Sequence, residues 1–303
     1  MTLPSLATIL INIILPIVLV AAVGFVLTRV RNLDTRSLSW VMLYFFTPAL
    51  IFGSAYRTPL SGEYVTLGSF ALIITALMGG VTWALVKIMR YDRLTASGFA
   101  LGVLFVNAGN YGLPLILFAY GQPGLARAAV YFAVSAILTQ TLAIFIAARG
   151  RASAHAALLN VFKMPLVYAV TLGLVLNLTG LTVPEPIMKS VDLAGGAAVP
   201  LMLTILGSEL ARATIANDRR TIGLATVAKL VLTPIVAFPL AALLGLEGVG
   251  RAVAIIEASM PTAVMASIVA VEFDARPKLV TGIVFASTVF SLVTLTVLLG
   301  ILK

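Results

Sequence analysis

Two short stretches hold the residues whose types and spacing can do chemistry. The first, NAGNYGLPL, runs from Asn107 to Leu115, and the second, EASMPTAVM, from Glu257 to Met265. Each sets polar side chains beside a proline in an otherwise apolar run: Asn107, Gly109, Asn110, Tyr111 and Pro114 in one, Glu257, Ser259, Met260, Pro261 and Thr262 in the other. A proline inside a helix has no N–H to give to the carbonyl four residues back, and its ring crowds that carbonyl. Pro114 is expected to release the carbonyl of Asn110, and Pro261 that of Glu257. Gly109 and Gly112 add backbone freedom to the first stretch, while the second has no glycine and is expected to be interrupted more mildly. Helix N-termini beyond such breaks carry a positive dipole end, which suits a carboxylate. The plainer reading is that the two prolines only kink two helices.

Covalent and metal chemistry is largely excluded. The chain has no cysteine, hence no disulfide, thiolate metal site or cysteine nucleophile, and its single histidine, His155, rules out a paired-histidine zinc motif. No phosphate-cradling G-x-x-x-x-G-K-[ST] loop and no G-x-S-x-G elbow occurs. The expectation is a protein that binds without catalysing, with no cofactor beyond a coupling ion, proton or sodium.

The elements that must position these stretches follow from composition. Of 303 residues, 61% are apolar and 10% charged, with a mean hydropathy of +1.11, against about 45–50% and 25% in soluble domains. Such a chain lacks the polar residues to cover a surface in water. Apolar runs place ten helices, enough to cross a bilayer ten times, near 5–28, 37–56, 65–89, 95–119, 124–148, 163–180, 187–211, 221–245, 250–272 and 279–302. The fold class expected is an all-α polytopic membrane protein. Alternate turns collect Arg29, Arg31, Arg36, Lys87, Arg90, Arg93, Arg149, Arg151, Lys163, Arg212, Arg219, Arg220, Arg276 and Lys278, and the others only Arg57, Arg127, Lys189, Arg251 and Lys303. The basic turns face the cytoplasm and both termini lie outside, in a cell inner membrane. The net charge of +9 is spread between apolar runs, so it reads as topology and not as a nucleic-acid surface.

The halves repeat. Pro16 and Gly24 match Pro165 and Gly173 at an offset of 149, while TPALIFGS (Pro48, Gly53, Ser54) matches VPLMLTILGS (Pro200, Gly207, Ser208) at 152 to 154. Pro123 and Phe132 match Pro277 and Phe285 at 153 to 154. With five spans in each half the second enters the membrane inverted, a plan common in secondary transporters. The units are residues 1–148, a cytoplasmic connection 149–162, and residues 163–303. The proline stretches are the fourth members of each repeat, so they are expected to cross as broken helices.

Glu257 is the most informative side chain, because a carboxylate within a span costs roughly 2.5–3.5 kcal/mol unless neutralised or paired. It either carries a proton or cation, or is held structurally by Lys229 or by hydrogen bonds. Lys229 in turn balances an anionic substrate or snorkels to the surface. Glu209 and Arg212, three apart, are expected to pair at the membrane interface, and Asp192 to behave similarly. Thr139, Gln140 and Ser287 line the site only if their spans face it. Gly98 and Gly102 are expected to pack against a neighbouring helix.

The NAGNYGLPL and EASMPTAV pair, the ten-span plan and the basic turn between spans five and six resemble the auxin efflux carrier family, including its bacterial malonate-type members, over essentially the whole chain. The resemblance implies a homodimeric secondary transporter. Spans one, two, six and seven would form a scaffold, the rest a moving unit, and substrate would sit beside prolines matching Pro114 and Pro261. Two departures stand out: the central loop is short, and no acidic residue occurs between Val65 and Met89, so roles assigned to those features do not carry over. The function expected is transport of small organic anions or carboxylates by an elevator-like alternation. The alternatives are a sodium-coupled symporter of the bile-acid type and a non-transporting membrane ligand sensor. A membrane-embedded enzyme is disfavoured by the lack of a DDxxD-like cluster.

Overall fold

In hydrocarbon a backbone must satisfy its polar groups within its own segment, so long apolar runs become helices. The computed structural model describes residues 6–58, 62–148, 164–213 and 217–303, and among these every element is helical. The described residues form eleven helices. Seven are long and apolar enough to cross a membrane: α1 (Leu6–Arg31), α2 (Thr35–Arg57), α3 (Gly62–Met89), α5 (Ala108–Ala147), α7 (Glu185–Arg212), α8 (Arg219–Leu243) and α11 (Pro277–Leu302). Four are shorter: α4 (Arg93–Leu104), α6 (Pro165–Thr179), α9 (Gly248–Ala258) and α10 (Val264–Glu272). Leu193 and Leu243 are 81% and 84% exposed, which water would penalise and lipid would not. The connection 149–162, with His155, lies outside the described residues.

α5 covers the end of the expected fourth span and all of the fifth. Its 40 residues would make a straight rod of about 60 Å at about 1.5 Å per residue, twice the hydrocarbon thickness. It is divided at Gly121, where φ is +64° and ψ −157°, a backbone that costs glycine little and other residues much. Beyond that turn the Phe132 ring comes back to within 2.8 Å of where a Cβ on Gly109 would stand. The second leg therefore packs beside the start of the first.

Prolines shape the other spans in a regular way. Apart from the turn Thr139–Ala143, which precedes no proline, the π-helical turns of the described residues cover Leu10–Ile14, Met42–Phe46, Ala108–Gly112 and Ala228–Leu232. Each ends two residues before a proline, namely Pro16, Pro48, Pro114 and Pro234. The wider turn moves the carbonyl that the proline ring would otherwise strike, and absorbs the missing N–H.

The tightest packing joins helices from opposite halves. A Cβ on Gly207 would overlap the Ala21 carbonyl and one on Gly24 the Thr204 carbonyl, so α1 and α7 touch backbone to backbone. The hydroxyls of Thr28 and Ser208 hydrogen-bond across the same contact. α6 approaches α2 likewise, with a Cβ on Gly173 only 3.0 Å from the Phe52 carbonyl. Small residues permit this approach, and the dispersion gained over the contact holds membrane helices together.

Candidate functional site

The site is built on two interruptions. α4 stops at Leu104 and α5 opens at Ala108, while α9 stops at Ala258 and α10 opens at Val264. Between them the two unwound segments bond to each other. Asn107 N–H donates to the Pro261 carbonyl (2.8 Å) and Ala263 N–H to the Phe105 carbonyl (2.9 Å), with Val106 and Thr262 forming an isolated antiparallel bridge. Thr262 closes the rest of the gap: its N–H donates to Ser287 Oγ (3.1 Å) and its hydroxyl to the Gly102 carbonyl (2.6 Å). Backbone freed in one segment is thereby satisfied by the other, as the membrane interior demands.

The interruptions differ in detail from expectation. In the first stretch the helix breaks at Phe105–Asn107, well before Pro114, which sits in the opening turn of the α-helical part that follows. The π-helical turn Ala108–Gly112 ahead of it takes the carbonyl out of the way of the proline ring, so Pro114 is carried within the helix and does not break it. In the second stretch the Glu257 carbonyl is not freed, since it accepts Met260 N–H (3.2 Å). The carbonyls released are those of Ala258, which Lys229 Nζ reaches (3.5 Å), and of Pro261, which accepts Asn107 N–H (2.8 Å).

A cavity of about 170 Å³ lies against the paired segments, smaller than the roughly 300–1,000 Å³ of drug-sized pockets. Val106, Asn107, Gly109 and Asn110 line it from the first interruption, and Ala263, Val264 and Met265 from the second. Asn107 is 5% exposed, and its Nδ2 has no hydrogen-bond partner. The first backbone bond of α5 runs from Gly112 N–H to the Asn107 carbonyl (3.0 Å). The N–H groups before it belong to the set that a helix start leaves without internal acceptors. An orphan amide donor beside a positive helix end suits a carboxylate.

Of the residues singled out in the sequence, Asn107, Gly109 and Asn110 reach this cavity. Tyr111, Pro114, Glu257, Ser259, Met260, Pro261, Thr262 and Lys229 do not line it. Tyr111 instead borders a separate apolar hollow between α1, α7 and α11. Thr139 and Gln140 do line the cavity, together with Ser39, Met42 and Thr47 of α2, Met202, Ile205 and Glu209 of α7, and Phe132 and Ser135 of α5. Ser287 holds Thr262 instead. Apart from Glu209, which the sequence marked only as one half of an expected interfacial pair, these α2 and α7 residues carried no signal beyond membership of apolar helices.

Glu257 and Lys229 are the only charged side chains among the described residues that are buried, at 0% and 1% exposure. They form no ion pair; neither Glu257 oxygen has a hydrogen-bond partner, and Lys229 Nζ donates to the Ala258 carbonyl at 3.5 Å. Glu209 and Arg212 do not pair either, because Arg212 turns to the Leu33 carbonyl and to Asn32 Oδ1 (3.4 Å). Asp192 pairs with Arg57 at 2.5 Å. Gly98 and Gly102 lie against Ala275, Arg276 and Ile283.

A second hollow, of about 790 Å³, is lined by Ala49, Leu50, Gly53 and Arg57 of α2, by Asp192, Gly196 and Val199 of α7, and by Gln122 and Arg127 of α5. Its nearest neighbours in the first cavity are Thr47 on α2 and Met202 on α7. The two hollows therefore follow one another along one seam between the α2–α7 pair and α5.

Residues 9–299 match the family model described as Membrane transport protein, Mem_trans, which is the auxin efflux carrier family. The chain belongs to that family. An uncharacterized transporter of Methanothermobacter thermautotrophicus is 27% identical over 93% of this chain and 95% of its own length. An uncharacterized transporter of Methanocaldococcus jannaschii is 25% identical over 93% and 94%. A Rhizobium meliloti protein named "Putative malonate transporter" is 24% identical over 96% and 95%. The Mem_trans family consists of membrane transporters, not enzymes, and with seven membrane-length helices among its described residues this chain is a multi-pass membrane protein.

Proposed function

We propose that this Mem_trans protein is a secondary transporter of small organic anions, carboxylates foremost, working by alternating access around the two interrupted helices. The observation that carries this reading is the mutual hydrogen bonding of the interruptions at the wall of a small cavity, into which Asn107 brings an unpartnered donor. The "Putative malonate transporter" name of the Rhizobium relative agrees with the substrate class.

In this proposal the chain makes ten spans as a 5+5 inverted repeat: residues 1–148, the connection 149–162, and residues 163–303. Span four comprises α4 and the first leg of α5, and span nine comprises α9 and α10, crossing where Asn107 and Pro261 bond. The matched contacts of α1 on α7 and of α6 on α2 support the repeat, because Gly24 and Gly173 occupy equivalent positions in both. Those four helices form the scaffold, and the remainder slides along it, elevator-like, opening one hollow as the other closes. The protein sits in the inner membrane as a homodimer, with both termini outside and the cavity at Asn107 open towards the cytoplasm. Asn110 and Gly109 contact the anion with Asn107. Tyr111, Pro114, Ser259, Met260, Pro261 and Thr262 shape and hold the crossing. Glu257, with two unpartnered oxygens, is the coupling group, since taking up a proton removes the cost of an unpaired buried charge.

Purified protein in liposomes should take up labelled malonate, and Asn107→Ala should cut the rate at least ten-fold with the melting temperature unchanged. Wild-type uptake by that variant would remove the crossing from the mechanism.

A further inference from the structure

The buried lysine remains unexplained by substrate binding, because Lys229 does not line the cavity at Asn107. It comes from the π-helical turn Ala228–Leu232 of α8 and points its ammonium at the end of α9. The last carbonyls of a helix lack internal donors and form its negative dipole end. At α9 three of them are served by backbone: Ser259 N–H reaches the Ile255 (3.1 Å) and Ile256 (3.0 Å) carbonyls, and Met260 N–H that of Glu257. Ala258 is left over. The residue four further on donates elsewhere, as Thr262 N–H goes to Ser287, and Pro261 has no N–H. Lys229 Nζ supplies the missing donor at 3.5 Å.

Carriers built on broken helices use such unwound carbonyls and C-terminal half-helix ends to bind a coupling sodium ion. Here a covalently attached cation already stands at that end, in a side chain 1% exposed and without a carboxylate partner. We propose that the Lys229 ammonium is a tethered counter-cation that fills the position of a metal ion at the break of span nine, and that the protein is consequently independent of sodium. Removing the ammonium while leaving its space creates a monovalent-cation site on the α9 carbonyl end. The inference deepens the transporter reading and rests on it for its functional meaning, but its test needs no transport and fails or succeeds separately.

The test is thermal melting of the detergent-purified full chain in choline, lithium, sodium or potassium chloride at equal ionic strength. Wild type should melt at one temperature in all four salts. Lys229→Ala should melt several degrees lower in choline and recover saturably with one of the small cations, because a ligand bound only by the folded form raises its stability by mass action. Lys229→Met, which keeps the bulk without the charge, should be as weakened in choline and should recover less. A saturable rise of the wild-type melting point with sodium overturns the proposal. So does a folded Lys229→Ala indifferent to all three metal ions, or a Lys229→Met as stable as wild type in choline. If neither variant can be purified, the wild-type salt series decides alone.

Discussion

Gly112 has no room for a methyl group: its Cβ would lie 2.7 Å from Glu257 Oε1 and 2.8 Å from Cδ. Glu257 is wholly buried and has nowhere to swing. Gly112→Ala should therefore destabilise by about 1–3 kcal/mol through overpacking, read as a lower melting temperature. Glu257→Ala in the same chain should give back part of the loss, because contacting sites are non-additive. Thr262→Val keeps shape but strands the Gly102 carbonyl, and should cost about 1–2 kcal/mol. Outside the membrane, Asp92 caps α4 by accepting Leu94 and Thr95 N–H, and its bonds to the Thr95 hydroxyl and N–H hold its carboxyl below the ordinary value of 3.8. A depressed value means stability present above that value and lost as pH falls through the folded one. The melting gap between wild type and Asp92→Ala should thus be full at neutral pH and close below pH 3.8. Glu257 was legible in the sequence because a carboxylate in an apolar run needs a reason. Its lack of a partner was not, since it depends on where α8 sets Lys229.

At the scale of the element, apolar runs and basic turns were enough to find nearly every helix, because both record the bilayer and not the tertiary fold. Where the helices break was less legible. Pro114 marks the neighbourhood, yet the interruption lies at Phe105–Asn107, in residues that pair with Pro261 and Ala263. A long-range backbone exchange leaves no local signature. The π-turns explain what Pro114 does instead. Replacing it with alanine restores an N–H able to bond the Asn110 carbonyl, which favours closing the Ala108–Gly112 turn to α register. Losing one residue of bulge rotates what precedes it by about 100°, the angle per residue at 3.6 residues per turn. Asn107 and Asn110 would then face away from the cavity. Pro114→Ala should accordingly depress malonate uptake several-fold with little change in melting temperature, and uptake at the wild-type rate would show that the π-turn does not set the asparagines.

For the whole molecule, the seam carries the argument. One hollow touches Thr47 and Met202 and the other Ala49 and Val199, so little separates them along α2 and α7. The ion pairs beside the larger hollow each join helices that the proposal keeps together: Arg57 of α2 with Asp192 of α7, and Arg127 of α5 with Glu63 of α3. Neither pair spans the seam, so sliding along it breaks neither of these salt bridges and strands none of their charges. The chain has no cysteine, which makes single replacements clean reporters. Gln140 lines the cavity at Asn107 and Gln122 the opposite hollow. In intact cells a membrane-impermeant maleimide should label Gln122→Cys and spare Gln140→Cys, with the reverse in inside-out vesicles. Where a saturating carboxylate shifts the balance between the two open states, the labelling rates at the two positions should move in opposite directions, because one population gains what the other loses. Rates that change at one position alone, or in the same direction at both, would contradict a single seam opened at alternate ends.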